Sequence, residues 1–160
     1  MNYTKSYKML WNCDMGIDPH TAGFGITKWA EYTPGRCFVA KQVGTNFDTF
    51  AVRAPEPIFH FCDNAVDILM WYWEVFDFGL DVHFVEIKPV GTVYKNRAND
   101  ETALWQCGVN KFEFVRHTTI KEVAQDACRE IDAKCSEIIA RYPQYNMQQV
   151  IRRIKRSAQK

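Results

Sequence analysis

Residues 58–88 read as one continuous strand, helix, strand unit, and no other stretch restricts the possible folds of this chain as much. Phe59, His60, Phe61 and Cys62 form the first strand, and Asp63 and Asn64 then open a helix. Asn64 suits the N-cap because its side-chain oxygen can accept from the free N–H groups of the first turn. Asp67, three positions on, places negative charge beside the positive helix end. Val66, Leu69, Met70 and Trp73 follow helical spacing, while Ile68, Trp71, Tyr72 and Phe76 carry apolar surface around most of the circumference. Such a helix needs cover on more than one side. Gly79 is expected to end it, and Asp81 to Lys88 return as a strand in which Val82, Phe84, Val85 and Ile87 call for burial on both faces.

The flanking segments divide into a strand-rich first half and a helical end. Thr4 to Asn12, Thr21 to Ala30 and Cys37 to Val43 read as short strands. Asp18-Pro19, Gly23, Gly25, Thr33-Pro34-Gly35 and Gly44 punctuate them as turns, and Pro55 and Pro57 stand just ahead of the Ile58 strand. Val90 to Tyr94 are expected to continue the sheet, Asn96 to Glu101 to form a polar loop, and Lys111 to Arg116 to alternate as a half-buried strand carrying Phe112 and Phe114. From Thr119 the period becomes helical. Ile120, Val123, Ala124, Ala127, Ile131, Ile138 and Ile139 fall near one face of a helix of about six turns, capped by Thr118 or Thr119 and stopped by Pro143. A second helix starts at Asn146, with Met147, Val150, Ile151 and Ile154 on one stripe. The expected fold is α+β: a small, mostly antiparallel sheet, single or split, one packed aromatic helix and two C-terminal helices. One domain over 1–160 is expected, with a core over 1–118 and a helical part over 119–160.

A content of 47% hydrophobic and 14% aromatic residues in 160 positions is enough for a true core and excludes a disordered chain. No apolar run approaches the roughly 20 residues of a membrane span. The N-terminal residues, with Lys5 and Lys8 amid Tyr3, Tyr7 and Trp11, lack the apolar centre of a secretory signal, so a cytoplasmic protein is expected. Cys13, Cys37, Cys62, Cys107, Cys128 and Cys135 are scattered without close pairs and read as reduced thiols.

The run Phe59-His60-Phe61-Cys62-Asp63-Asn64 leading into Val66-Asp67-Ile68-Leu69, followed by Phe84-Val85-Glu86-Ile87 and Gly91, resembles a domain of unknown function found in bacteriophage and bacterial proteins. The resemblance covers residues 5–122, including Thr21-Ala22-Gly23-Phe24 and the Asn110 to Phe114 strand, and leaves the C-terminal helices largely outside. It implies a phage or prophage origin and no particular activity. More distantly, the same unit resembles the middle of ADP-ribosyltransferase folds. That resemblance implies NAD as cofactor, held by an Arg or His on the first strand and a Ser or Tyr on the second, with a late Glu stabilising an oxocarbenium-like centre. Here Lys8, then His60 and Cys62, and finally Glu113 stand at those places, so the first two depart from the pattern.

His60 and Cys62, two apart on a strand, share a face and with Asp63 or His83 offer N and S ligands of the kind zinc takes; without a second close ligand pair, a satisfied histidine and a buried cysteine are the expected reading. Cys128 and Cys135, seven apart, share a helix face, as a buried edge requires. Trp71-Tyr72-Trp73 is expected at the core and its rim, with one ring available as a partner anchor. Charge is the clearest asymmetry. Arg141, Arg152, Arg153, Lys155, Arg156 and Lys160 fall in residues 141–160 with no acid among them, whereas residues 1–80 hold nine acids against six bases. Arg152, Arg153, Lys155 and Arg156 are therefore the candidate binding residues of a basic amphipathic helix, facing an acidic protein or nucleic acid phosphates. The expectation for function is a small phage-encoded accessory protein that binds and modulates a host protein or ribonucleoprotein complex, without a metal, cofactor or membrane. An enzyme of ADP-ribosyltransferase type, with His60 and Glu113 as catalytic candidates, and a virion component are the alternatives.

Overall fold

A computed structural model describes residues 5–11, 33–40, 54–77, 82–95 and 104–160. In chain order these form β1 (Ser6–Trp11), β2 (Cys37–Val39), β3 (Phe59–Phe61), α1 (Ala65–Asp77), β4 (Val82–Lys95), β5 (Cys107–Thr118), α2 (Ile120–Arg141) and α3 (Met147–Gln159). The fold is α+β with an open antiparallel sheet. The Thr21 to Ala30 strand, the Asn96 to Glu101 loop, the Gly79 stop and Cys13 lie outside the described residues.

The sheet is built on the long β4–β5 hairpin, paired from Phe84↔Thr118 to Lys95↔Cys107. β1 lines the outer edge of β4, from Ser6↔Ile87 to Trp11↔Val82. The outer edge of β5 is shared: β2 pairs with residues 111–113 and β3 with residues 107–109. Irregularities between Glu86 and Ile87 and between Val90 and Val93 break the ladder, and Gly91 sits at φ +93°, a conformation glycine adopts without penalty. Such bulges bend and twist a strand. The bend brings the far edges together, so that Tyr7 N donates to Cys62 O at 2.8 Å and Cys62 N to Tyr7 O at 2.9 Å. Pro89, between two segments that the sequence separates, lies inside the continuous β4; no described strand pairs with β4 beyond Ile87 on its outer edge, so the missing N–H costs no ladder bond there.

Both faces of the sheet are covered with apolar groups. On one, Tyr7, Met9, Phe84 and Cys62 pack against Leu69, Trp73, Val123, Ala127, Ile131, Tyr142, Met147 and Ile154, so all three helices share a core with the sheet. On the other, Leu10, Phe59, Phe61, Val85, Ile87, Val109, Phe112 and Phe114 gather. Phe38 stacks on Phe112 at 5.2 Å and Phe59 meets it edge-on at 4.8 Å. Phe84 facing one way and Val85 and Ile87 the other realise the two-sided burial expected of β4.

The helix ends follow their sequence signals. Asn64 Oδ1 accepts from Asp67 N at 2.8 Å. Thr119 and Glu122 form a reciprocal capping box on α2. Pro143 disfavours helical backbone at Tyr142, whose φ −125°, ψ 62° ends α2. Two features depart from expectation. Lys134 is non-helical at φ −141°, ψ 36°, which kinks the otherwise continuous helix. Ile139, placed on the buried face by its spacing, is 41% exposed: it stands about 100° around the helix from buried Ile138, which takes the core position. Among the described residues, no helix is long and apolar enough to cross a membrane, and the described cysteines are free thiols.

Candidate functional site

Helix α3 has an apolar side and a basic side. Asn146 caps it by accepting from Gln149 N at 3.3 Å, Met147 and Ile154 are buried, and Val150 and Ile151 are partly covered. Arg152, Arg153, Lys155 and Arg156 are exposed on the rest of its surface. Between α3 and α1 runs a groove of about 530 Å³. Met70, Trp73, Tyr145 and Val150 form its apolar wall, and Arg152, Arg153 and Arg156 rim it. The Arg153 guanidinium lies 4.5 Å from the centre of the Trp73 ring, a cation–π contact that orients the side chain. No described carboxylate pairs with these three arginines.

The remaining basic residues divide differently. Lys155 does not line the groove and stands on the α2 side, close enough to Cys128 to act on its thiol. Arg141, half-buried, is tied to the other side of the molecule, donating to Asp67 at 2.5 Å and lying 5.0 Å from the Trp105 ring. The basic surface is therefore narrower than the count of charges in residues 141–160.

A second, polar cleft of about 710 Å³ opens over the N-terminus of α1, where α2 and β1 meet it. Glu130 of α2 sits at its centre, with Oε1 accepting from Ala65 N at 2.7 Å and Oε2 from Val66 N at 3.0 Å. The carboxylate caps the positive end of α1 from another helix. Burial nevertheless lifts its pKa, with the two backbone donors pulling the other way. Asp67 accepts from Tyr142 Oη at 2.5 Å, from Arg141 and from Asn64 Nδ2 at 2.8 Å. Its pKa is also raised, chiefly by burial, against the pull of Arg141. Asp126 accepts from Tyr7, from Arg129 and from Lys5 Nζ at 3.1 Å. Every buried carboxylate of the cleft is thus committed to donors of the chain, and the cleft acts first as the joint tying α2 to α1 and β1.

The sequence alone did not single out this joint. Asp126 and Glu130 look like solvent-facing helix residues. The available signal was that two like charges four positions apart flank the Val123, Ala127, Ile131 stripe, an arrangement that disfavours a helix unless donors elsewhere satisfy it.

Of the residues at the positions implied by the transferase resemblance, Lys8, His60 and Cys62 are buried close together and Glu113 lies apart. Lys8 is fully buried, donates to His60 O at 2.5 Å and lies 5.4 Å from the Phe59 ring. His60 is buried beside a cavity of about 10 Å³, room for one water. Burial, then the Lys8 charge, lowers its pKa to about 4. Cys62 is buried with its thiol directed at Trp105 O, 3.6 Å away, and burial raises its pKa. Glu113 pairs with Cys37 and Lys88, five positions along β5 from Gly108, the partner of His60. That separation is roughly 17 Å of strand. Among the described residues no group of three or more His, Cys, Asp or Glu side chains is placed to hold a metal. No family model matches this chain, and neither curated proteins nor solved structures give a match.

Proposed function

We propose that this chain is a binding protein whose α1/α3 groove docks on an anionic macromolecule. One observation carries the reading: Arg152, Arg153 and Arg156 stand exposed around an apolar wall that includes buried Trp73, and among the described residues no carboxylate pairs with them. Folding alone does not need three exposed guanidinium groups on one rim, whereas arginines gathered at the edge of an apolar wall are a composition that carries binding energy in interfaces. Together with the resemblance to a domain of bacteriophage and bacterial proteins read in the sequence of residues 5–122, which no family model matches, this supports a small phage-encoded accessory protein that acts on a host macromolecule in the cytoplasm, in host takeover or evasion of a defence system.

The test is affinity capture from bacterial cells with the original protein and with a variant carrying Arg152→Glu, Arg153→Glu and Arg156→Glu, each verified as folded by circular dichroism. Exposed charges contribute little to stability but control association rate and its salt dependence. The original protein is expected to retain a specific partner, to lose it as salt rises, and to lose it in the reversed variant. Equal capture and equal salt dependence for both proteins would refute the reading.

A further inference from the structure

Resting on that reading of the groove, we infer that its occupant is an acidic protein segment with an apolar anchor, and not a nucleic acid strand. Three observations separate the two. Single-strand binders pair a positive track with aromatic faces on which bases stack. In this groove Trp73 is only 8% exposed and already faces Arg153, while partly buried Tyr145 meets Tyr142 edge-on at 5.9 Å. Duplex binders carry a strongly basic domain. This chain has 20 Lys and Arg against 19 Asp and Glu, a net charge of +1, so its positive charge is confined to a short local rim that suits a few carboxylates and not the long run of phosphates of a nucleic acid.

The third observation is positive. Arg153, held with its guanidinium carbon 4.5 Å over the Trp73 ring centre, is a planar group suited to a two-pronged contact with a carboxylate, and loses less conformational freedom on binding than an unsupported side chain. Arg152 and Arg156, four apart, follow one another along the same helix face. A partner that presents carboxylates at helical spacing meets both, and an apolar side chain between them reaches the Met70 and Val150 wall. A volume of about 530 Å³ accommodates such an insertion.

A random peptide library displayed on phage, selected against the immobilised full chain and counter-selected against the variant carrying all three Arg→Glu changes, tests this. A fluorescently labelled single-stranded RNA of mixed sequence is titrated in parallel. The expected result is enrichment of peptides with Asp or Glu three or four apart around a Leu, Ile, Phe or Met, whose affinity falls at least about tenfold in the variant. RNA binding that depends on the three arginines, with no acidic enrichment, would overturn this inference and leave the anionic-partner reading standing. Acidic peptides that bind both proteins equally would overturn the assignment to this groove. If neither probe binds, both readings fall.

Discussion

Replacing Glu130 by Ala is expected to loosen the start of α1 from a position 65 residues later in the chain. In the native protein three N–H groups of the first turn are satisfied by side chains: those of Ala65 and Val66 by Glu130, and that of Asp67 by Asn64. Hydrogen bonds to a charged acceptor contribute about 1.5 to 3 kcal/mol each, so the two Glu130 bonds have a gross value of about 3 to 6 kcal/mol. Two effects reduce it. Burial already disfavours the carboxylate, as its raised pKa records, and the open cleft lets water reach the vacated N–H groups. The net loss for Glu130→Ala is therefore placed near the lower bound, at about 3 kcal/mol, and Glu130→Gln, which keeps an acceptor oxygen without the charge, at about half of that. Urea unfolding measures both. Hydrogen exchange gives the local signature, with the Ala65 and Val66 amides accelerated in Glu130→Ala while the Asp67 amide stays protected by Asn64. A loss under about 1 kcal/mol, or exchange rising equally at all three amides, would refute the assignment of Glu130 as the cap of α1.

Leu69, fully buried between the sheet and the helices, is expected to cost about 2 to 5 kcal/mol on replacement by Ala, read by denaturant unfolding; a loss below 1 kcal/mol would mean that α1 is not seated as described. His60, with its pKa lowered to about 4, binds a proton more readily unfolded than folded, so its contribution is present above the ordinary 6.5 and is lost as pH falls toward 4. Between pH 7 and pH 5 that loss is about 2 kcal/mol, and a His60→Asn variant is expected to lack it; equal slopes in both proteins would refute the buried, neutral imidazole. Glu122, held down to about 2 first by the Thr119 N–H and then by the Thr118 hydroxyl, contributes stability above its ordinary 4.5 that fades as pH falls toward 2, and Glu122→Gln should flatten that part of a pH titration of unfolding. No labelled ADP-ribose is expected to pass from NAD to lysate proteins, because Lys8, His60 and Glu113 do not meet in one cleft; labelling abolished by Glu113→Gln would restore the enzymatic reading.

What the sequence made legible was whatever local rules decide. Asn64 and Thr119 advertise helix starts through their own side chains, Pro143 a stop, and Phe112 and Phe114 a strand face through period two; each is found where its signal stands. The stripe of Met147 and Ile154 likewise separated the core side of α3 from its arginines. Contacts set by the bend of the sheet were not legible. Nothing in Tyr7 or Cys62 announces that edges from opposite ends of the sheet meet, and nothing in Glu130 announces its position over the α1 N-terminus, because both depend on bulges and on the packing of distant elements. Charge counting also overstated the basic surface, since it cannot tell that Arg141 turns inward to Asp67 while Arg152 remains in solvent.

Helix α3 completes the core with Met147 and Ile154 and borders the groove with its arginines, so the two roles are thermodynamically linked. A partner held by the rim also holds the helix down, and the unfolded chain offers no such groove. Occupancy must then raise the resistance of the entire domain to heat and denaturant by mass action, about 2.7 kcal/mol when the partner is present at a hundred times its dissociation constant. For the proposed partner the converse follows from the same cycle: whatever loosens Ile154 from its seat would weaken the partner's hold without touching an arginine, so core substitutions and binding substitutions in this helix would share a phenotype and differ only in whether the free protein has lost stability.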